Sequence, residues 1–197
     1  MPKLPQLVFA TNNHHKLSEV QQILGNSIEL LTLSDIGFTD EIPEDFNTLE
    51  ENASQKAWHI YNKYKMNCFA DDTGLEVNAL NGEPGVRSAR YAGEGKTPSD
   101  NIEKLLRKLK GVSNRKAQFR TVISLIVDGI EFQFQGIVEG EIIEEFRGSL
   151  GFGYDPLFIP YGYTETFAQM APKLKNEISH RGVAIKKLTK FLIDKFL

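Results

Sequence analysis

Two strand-like runs, Phe119 to Val127 and Ile130 to Val138, flank Asp128-Gly129. Asp-Gly accepts the left-handed backbone of a tight turn, so this segment predicts a long antiparallel hairpin. Any fold of the chain must therefore contain a sheet with at least one antiparallel pair. Upstream the pattern alternates. Gln6 to Ala10 predicts a buried strand, and Leu17, Val20, Ile23 and Leu24 predict a helix that stops at Gly25-Asn26. Thr48 to about Lys65 predicts a second helix, opened by the capping pattern Thr48-x-x-Glu51. Cys68 to Ala70 predicts a short strand ending in Asp71-Asp72-Thr73-Gly74, and Leu75 to Leu80 a further one. Pro84-Gly85 suits the centre of a type II turn, and Thr97 or Ser99 starts a helix to Lys110. Ser179 to Lys195 closes the chain as a helix with Val183, Ile185, Leu188, Leu192 and Ile193 on its apolar face. Strand–helix alternation plus a hairpin gives an α/β fold with a mixed sheet. No linker or repeat interrupts it, so residues 1–197 are expected to form one domain, or two lobes that the sequence cannot separate.

Composition excludes several classes. A formal net charge of −3 argues against a general nucleic-acid binder, which displays a basic excess. Cys68 is the single cysteine, so no intrachain disulfide can form and a reducing cytoplasm is the expected setting. Met1 to Gln6 lacks the apolar run of a secretion signal, and no stretch approaches the roughly 18 apolar residues of a membrane span. Without secretion, the sequon Asn52-Ala53-Ser54 reads as chance.

Polar chemistry gathers in four places. Thr11-Asn12-Asn13-His14-His15-Lys16 joins a strand to a helix, where backbone N–H groups form an anion site and Lys16 adds a point charge. The same residues also suit a plain helix cap, and the spacing of His15 and Glu19 suits a solvated pair. Asp71-Asp72 sets two carboxylates side by side, a repulsion that a cation or a shared proton offsets. Strand alternation sends them in different directions, so only one need enter a cleft; an ordinary acidic turn is the alternative. Glu44, Glu50, Glu51 and Lys56 are further candidates, with Glu51 also wanted by its helix cap.

In the third place, Phe152-Gly153-Tyr154-Asp155-Pro156, glycines and aromatics form a loop able to lay a ring against a planar base; a core loop has the same composition. Pro156 biases Asp155 toward an extended backbone that displays its carboxylate. In the fourth, Lys175, His180 and Arg181 gather near a predicted helix N-terminus that already carries partial positive charge. A bound anion or an electron-rich carbonyl would relieve that conflict.

In chain order, Ala10 to Glu19, Glu51 to Ala57, Ala70 to Leu75, Pro84 to Gly93, Phe152 to Pro156 and Ser179 to Arg181 resemble the motifs of the inosine triphosphate pyrophosphatase family. The likeness runs from about Leu7 to the C-terminus. Asn12-Asn13 departs from the Gly-Asn of many members, though a backbone N–H can serve there equally. The resemblance implies an elongated α/β fold, two lobes around a central mixed sheet, with a substrate cleft between the lobes. It implies a homodimer and Mg²⁺-dependent hydrolysis of ITP, dITP and XTP to monophosphate and pyrophosphate.

Carried over motif by motif, Thr11, Asn12, Asn13, His14, His15, Lys16 and Lys56 would hold the triphosphate. Asp72 would bind metal and accept the water proton, with Glu44 as second metal carboxylate and Glu51 as the alternative. Thr73, Gly74 and Leu75 would line the substrate path. Phe152, Gly153, Tyr154, Asp155, Lys175, His180 and Arg181 would form the base pocket, where donors from Arg181 or His180 pair with a 6-carbonyl that adenine lacks. Gly95-Lys96-Thr97 ends like a phosphate-binding P-loop, but Arg90 stands where that motif needs glycine.

Overall fold

A computed structural model describes residues 6–25 and 28–196. Met1 to Pro5, and Asn26 of the predicted helix stop, lie outside it. The elements run β1 (Gln6–Phe9), α1 (His14–Leu24), β2 (Glu29–Leu31), α2 (Leu49–Tyr64), β3 (Cys68–Val77), β4 (Pro84–Gly85), α3 (Pro98–Lys108), β5 (Lys116–Val127), β6 (Ile130–Ile142), β7 (Phe158–Pro160), α4 (Pro172–Ile178) and α5 (His180–Phe196). The strand order is β2-β1-β3-β5-β6-β7, with β4 added to β3. β1 pairs parallel with β2 and β3, whereas β4 on β3 and β7 on β6 are antiparallel. The sheet is mixed, as the α/β reading requires. Asp128 and Gly129 both take positive φ in the hairpin turn.

The chain forms two compact units, each assembled from separated segments. Among the described residues, those within 1–72, 121–136 and 181–197 make the first, and those within 73–120 and 137–180 the second. In the first unit, strand residues alternate between two cores. Leu7, Phe9, Phe69, Ile123 and Leu125 pack with Val20 and Leu24 of α1 and Ala184, Ile185, Leu188 and Leu192 of α5. Val8, Ala10, Cys68, Ala70 and Ile126 pack instead with Ala57 and Ile60 of α2. Helices thus cover both faces, which explains why these strands are apolar throughout rather than at every second position. The second unit has one core, in which Leu75, Leu105, Phe119, Leu157, Phe158 and Phe167 are buried.

Several expected boundaries move. The acidic motif does not end a strand, because β3 continues from Cys68 through Val77. Asn78–Leu80 is then a 3₁₀ turn rather than strand. Pro84-Gly85 is not a type II turn: it pairs with β3 at Glu76 and Leu75. Gly74 makes this pairing possible, since a Cβ there would lie 2.6 Å from the Gly85 carbonyl oxygen. The predicted C-terminal helix is present as α5, and Ser179, extended at ψ 158°, separates it from the short α4 before it. Ile193 is half-exposed and falls off the apolar face.

Candidate active site

The first unit carries a charged cluster whose layout follows from strand parity. Asp71 lies two residues beyond Phe69 and so faces the core of α1 and α5. Asp72 follows Ala70 onto the opposite face, against α2. On the first face, Lys16 Nζ meets Asp71 Oδ1 at 3.0 Å, while Arg181 Nε and Nη2 each reach Asp71 Oδ2 at 3.3 Å. Arg181 Nη1 also binds Glu19, three residues beyond Lys16 on α1. Arg181 is only 1% exposed. On the second face, Lys56 of α2 pairs with Glu44 and lies 3.7 Å from Asp72 Oδ1. Asn52, one helical turn before Lys56, donates to Asp72 Oδ2 at 3.3 Å and holds both backbone groups of Phe46.

This environment drives the two adjacent carboxylates apart. Burial would raise Asp71, but the Lys16, Arg181 and Lys56 cations outweigh it and hold the carboxyl far below the usual range. Burial raises Asp72, and Glu44 and Asp71 add to it against the opposing pull of Lys56 and Lys16. Lys16 is pushed down by its burial and by repulsion from Lys56 and Arg181, which together outweigh the opposing pull of Asp71. Lys56 is pushed up: the carboxylates of Asp72, Glu44 and Asp71 overcome the effect of its burial.

Asn13 caps α1, its side chain accepting from the N–H groups of His15 and Lys16, and Thr11 Oγ1 accepts from Asn13 N–H. Part of the expected anion-binding N–H set is thus held by a cap. Asn12, His14 and His15 are exposed beside it. Glu51 is bound to the cap hydroxyl of Thr48.

Four carboxylates, Glu19, Glu44, Asp71 and Asp72, face three cations in this cluster. That residual negative charge, with Glu44 and Asp72 converging on the single ammonium of Lys56, fits one more cation. Among the described residues no group of three or more His, Cys, Asp or Glu side chains is arranged to hold a metal. Mg²⁺ does not need such a cage, because it is held by one or two carboxylates plus water and substrate phosphates. The donor set fits it in that mode.

In the second unit, Asp155 does not display its carboxylate. It opens a 3₁₀ turn (Asp155–Leu157) instead of lying extended, and it is 3% exposed. Its Oδ2 accepts from Phe152 N–H at 2.8 Å and from Lys175 Nζ at 2.7 Å. A side chain at Gly151 would collide with that carboxylate, so the glycine makes room for it. Lys175 Nζ also lies 5.1 Å from the centroid of the Phe152 ring. His180 stacks on Phe119, centroids 4.7 Å apart and planes within 13°. Phe152, Gly153, Tyr154, Asp155, Lys175 and His180 therefore share the second unit with Thr73, Gly74 and Leu75, whereas Arg181 belongs to the first. Leu75 and Tyr154 are core residues.

Sequence reasoning gave no functional weight to Asn52, and none to Glu19 beyond a solvated pair. Both could have been flagged as polar residues on the buried stripe of a helix, at i−4 from Lys56 and i+3 from Lys16.

Fold and site together define a mixed-sheet α/β protein with a buried carboxylate–lysine centre on an internal strand. The chain belongs to the Ham1 family, whose model matches residues 7–191 and so spans all the recognised motifs. A relative from Flavobacterium psychrophilum named dITP/XTP pyrophosphatase is 53% identical over 191 residues, covering 97% of this chain and 98% of its own. The solved Ham1 protein of Coxiella burnetii superposes with a TM-score of 0.89 at 38% identity, covering 97% of this chain and all of that one. The Staphylococcus aureus Ham1 protein gives 0.87 at 41% identity, with 96% and 99% covered.

Proposed function

We propose that this chain hydrolyses dITP, XTP and ITP between the α- and β-phosphates, releasing nucleoside monophosphate and pyrophosphate. The observation that carries the reading is Asp72. It is a buried carboxylate with a raised proton affinity, flanked by Lys56 and Asn52 and paired with Glu44 across one ammonium. Such a group is suited to take a proton from water. Lys16 and Lys56 supply positive charge for phosphate oxygens and for the leaving pyrophosphate. Glu44 and Asp72 would hold Mg²⁺, which when bound supplies charge neutralisation at the phosphates. No covalent nucleophile is needed.

For the base, Lys175 and His180 are the donors we assign to the 6-carbonyl, beside the rings of Phe152 and Phe119. All three guanidinium nitrogens of Arg181 bind Asp71 or Glu19, so we place it in the structural network. The reading includes a homodimer and a cytoplasmic setting; the family resemblance supports the first and the single buried Cys68 the second. Among the described residues no helix is long and apolar enough to cross a membrane. The test is pyrophosphate release from a panel of nucleoside triphosphates, with and without Mg²⁺. ITP, dITP and XTP should release pyrophosphate while ATP and the pyrimidine triphosphates react poorly. Stepwise release of orthophosphate would overturn the reaction.

A further inference from the structure

The motif from Pro84 to Gly93 has no part in the proposed chemistry, yet it is tied to several distant segments of the second unit. Ser88 is its centre. Its hydroxyl accepts the Leu75 N–H at 2.8 Å and donates to the Gly85 carbonyl at 2.6 Å, bridging the paired residues of β3 and β4. Its own carbonyl accepts the Tyr154 hydroxyl at 3.0 Å. The loop is clamped from its other side by Asn101 of α3, buried at 4% exposure. Asn101 Oδ1 accepts Ala92 N–H at 2.6 Å and its Nδ2 donates to the Ala89 carbonyl at 3.0 Å.

We propose that Ser88 is a positioning residue for base recognition, locking the Phe152–Asp155 loop to β3 through Tyr154. The argument is one of connection. Leu75 follows directly on Thr73-Gly74, and Tyr154 sits within the loop whose Asp155 orients Lys175. Neither segment is near the other in sequence, and Ser88 bonds to both with different atoms. Its side chain fixes its carbonyl, because two bonds hold the hydroxyl to β3 and β4. The carbonyl in turn fixes the phenol of Tyr154. Removing the hydroxyl frees the carbonyl to move, so its effect must reach Tyr154. Tyr154 is 4% exposed, so its hydroxyl has little access to water as a substitute partner.

The inference rests on the reading that the Phe152–Asp155 loop meets the base, and two readouts keep them separable. Backbone hydrogen exchange is compared for the wild type, Ser88→Ala and Tyr154→Phe without substrate, and ITP and GTP kinetics follow. Ser88→Ala should speed exchange both at 73–77 and at 152–157. It should raise KM for ITP by roughly three- to tenfold, the loss of about one hydrogen bond, with kcat nearly unchanged. Tyr154→Phe should reproduce the change at 152–157 alone, and it remains informative if Ser88→Ala folds poorly. Faster exchange confined to 73–77 in Ser88→Ala would overturn the coupling, as would equal loss of kcat and kcat/KM. If the wild type released no pyrophosphate, the proposed reaction would fall while the exchange comparison still decided the coupling.

Discussion

Replacing Arg181 by alanine is the sharpest test of the charged cluster. The guanidinium is almost fully buried and binds two carboxylates, Asp71 through Nε and Nη2 and Glu19 through Nη1. After the change, Asp71 keeps its bond from Lys16 but loses both guanidinium bonds, and Glu19 loses the guanidinium. Their side chains are 2% and 14% exposed, so water can reach Glu19 in part and Asp71 scarcely at all. Breaking a buried ion pair from one side costs about 3–5 kcal/mol. Because Lys16 stays in place, the lower end applies, about 3 kcal/mol. For a chain of this size that corresponds to a melting temperature lower by roughly 6–12 °C. Arg181→Met, which restores apolar volume but no charge, should lose nearly as much, whereas Arg181→Lys should recover part of the deficit. Urea unfolding of the three variants measures this. An Arg181→Ala protein within about 1 kcal/mol of the wild type, below the usual range for a broken buried pair, would refute the network. A Met variant of wild-type stability would show that packing, not charge, holds the residue.

Asp72→Asn should lower turnover at least about 10²-fold, the lower range for a lost general base. Its thermal midpoint should not fall, because a carboxyl whose proton affinity the fold has raised is destabilised when charged at neutral pH. Scanning calorimetry beside the pyrophosphate assay checks both, and normal turnover in the folded variant removes Asp72 from the chemistry. Glu131→Gln addresses pH dependence. Burial opposes ionisation of Glu131, but bonds from Trp58, Ser124, Ser54 and Gln133 win and depress its pKa. A depressed carboxyl gives stability that is present above its unfolded value, about 4.3, and is lost as pH falls through the folded value. Glu131→Gln should therefore be less stable at pH 7 and converge with the wild type in acid; a gap independent of pH in denaturant titrations would contradict this.

Much of this architecture was legible in the sequence because it is local. Asp128-Gly129 gave the hairpin, and Thr97 caps α3 as expected. Asp71-Asp72-Thr73-Gly74 misled because aspartate and glycine are poor strand formers by propensity, and only tertiary partners reverse that. Those partners, Lys16, Lys56 and Arg181, lie far away in the chain, and no periodicity could assign them. Asp155 misled in the same way, since the backbone preference set by Pro156 yielded to a bond with Lys175 across twenty residues.

What the sequence did hold was parity. Two identical side chains one residue apart on β3 must point to opposite faces, and in this fold each face is covered by different helices. Asp71 meets Lys16 of α1 and Arg181 of α5 and is held ionised well into acid. Asp72 meets α2, where one ammonium is shared with Glu44, and its proton affinity rises instead. The chemical difference between the two aspartates is therefore not in the residues or in their neighbours along the strand. It comes from which helix each one faces, and a shift of one position in the register of β3 would turn each aspartate to the opposite face.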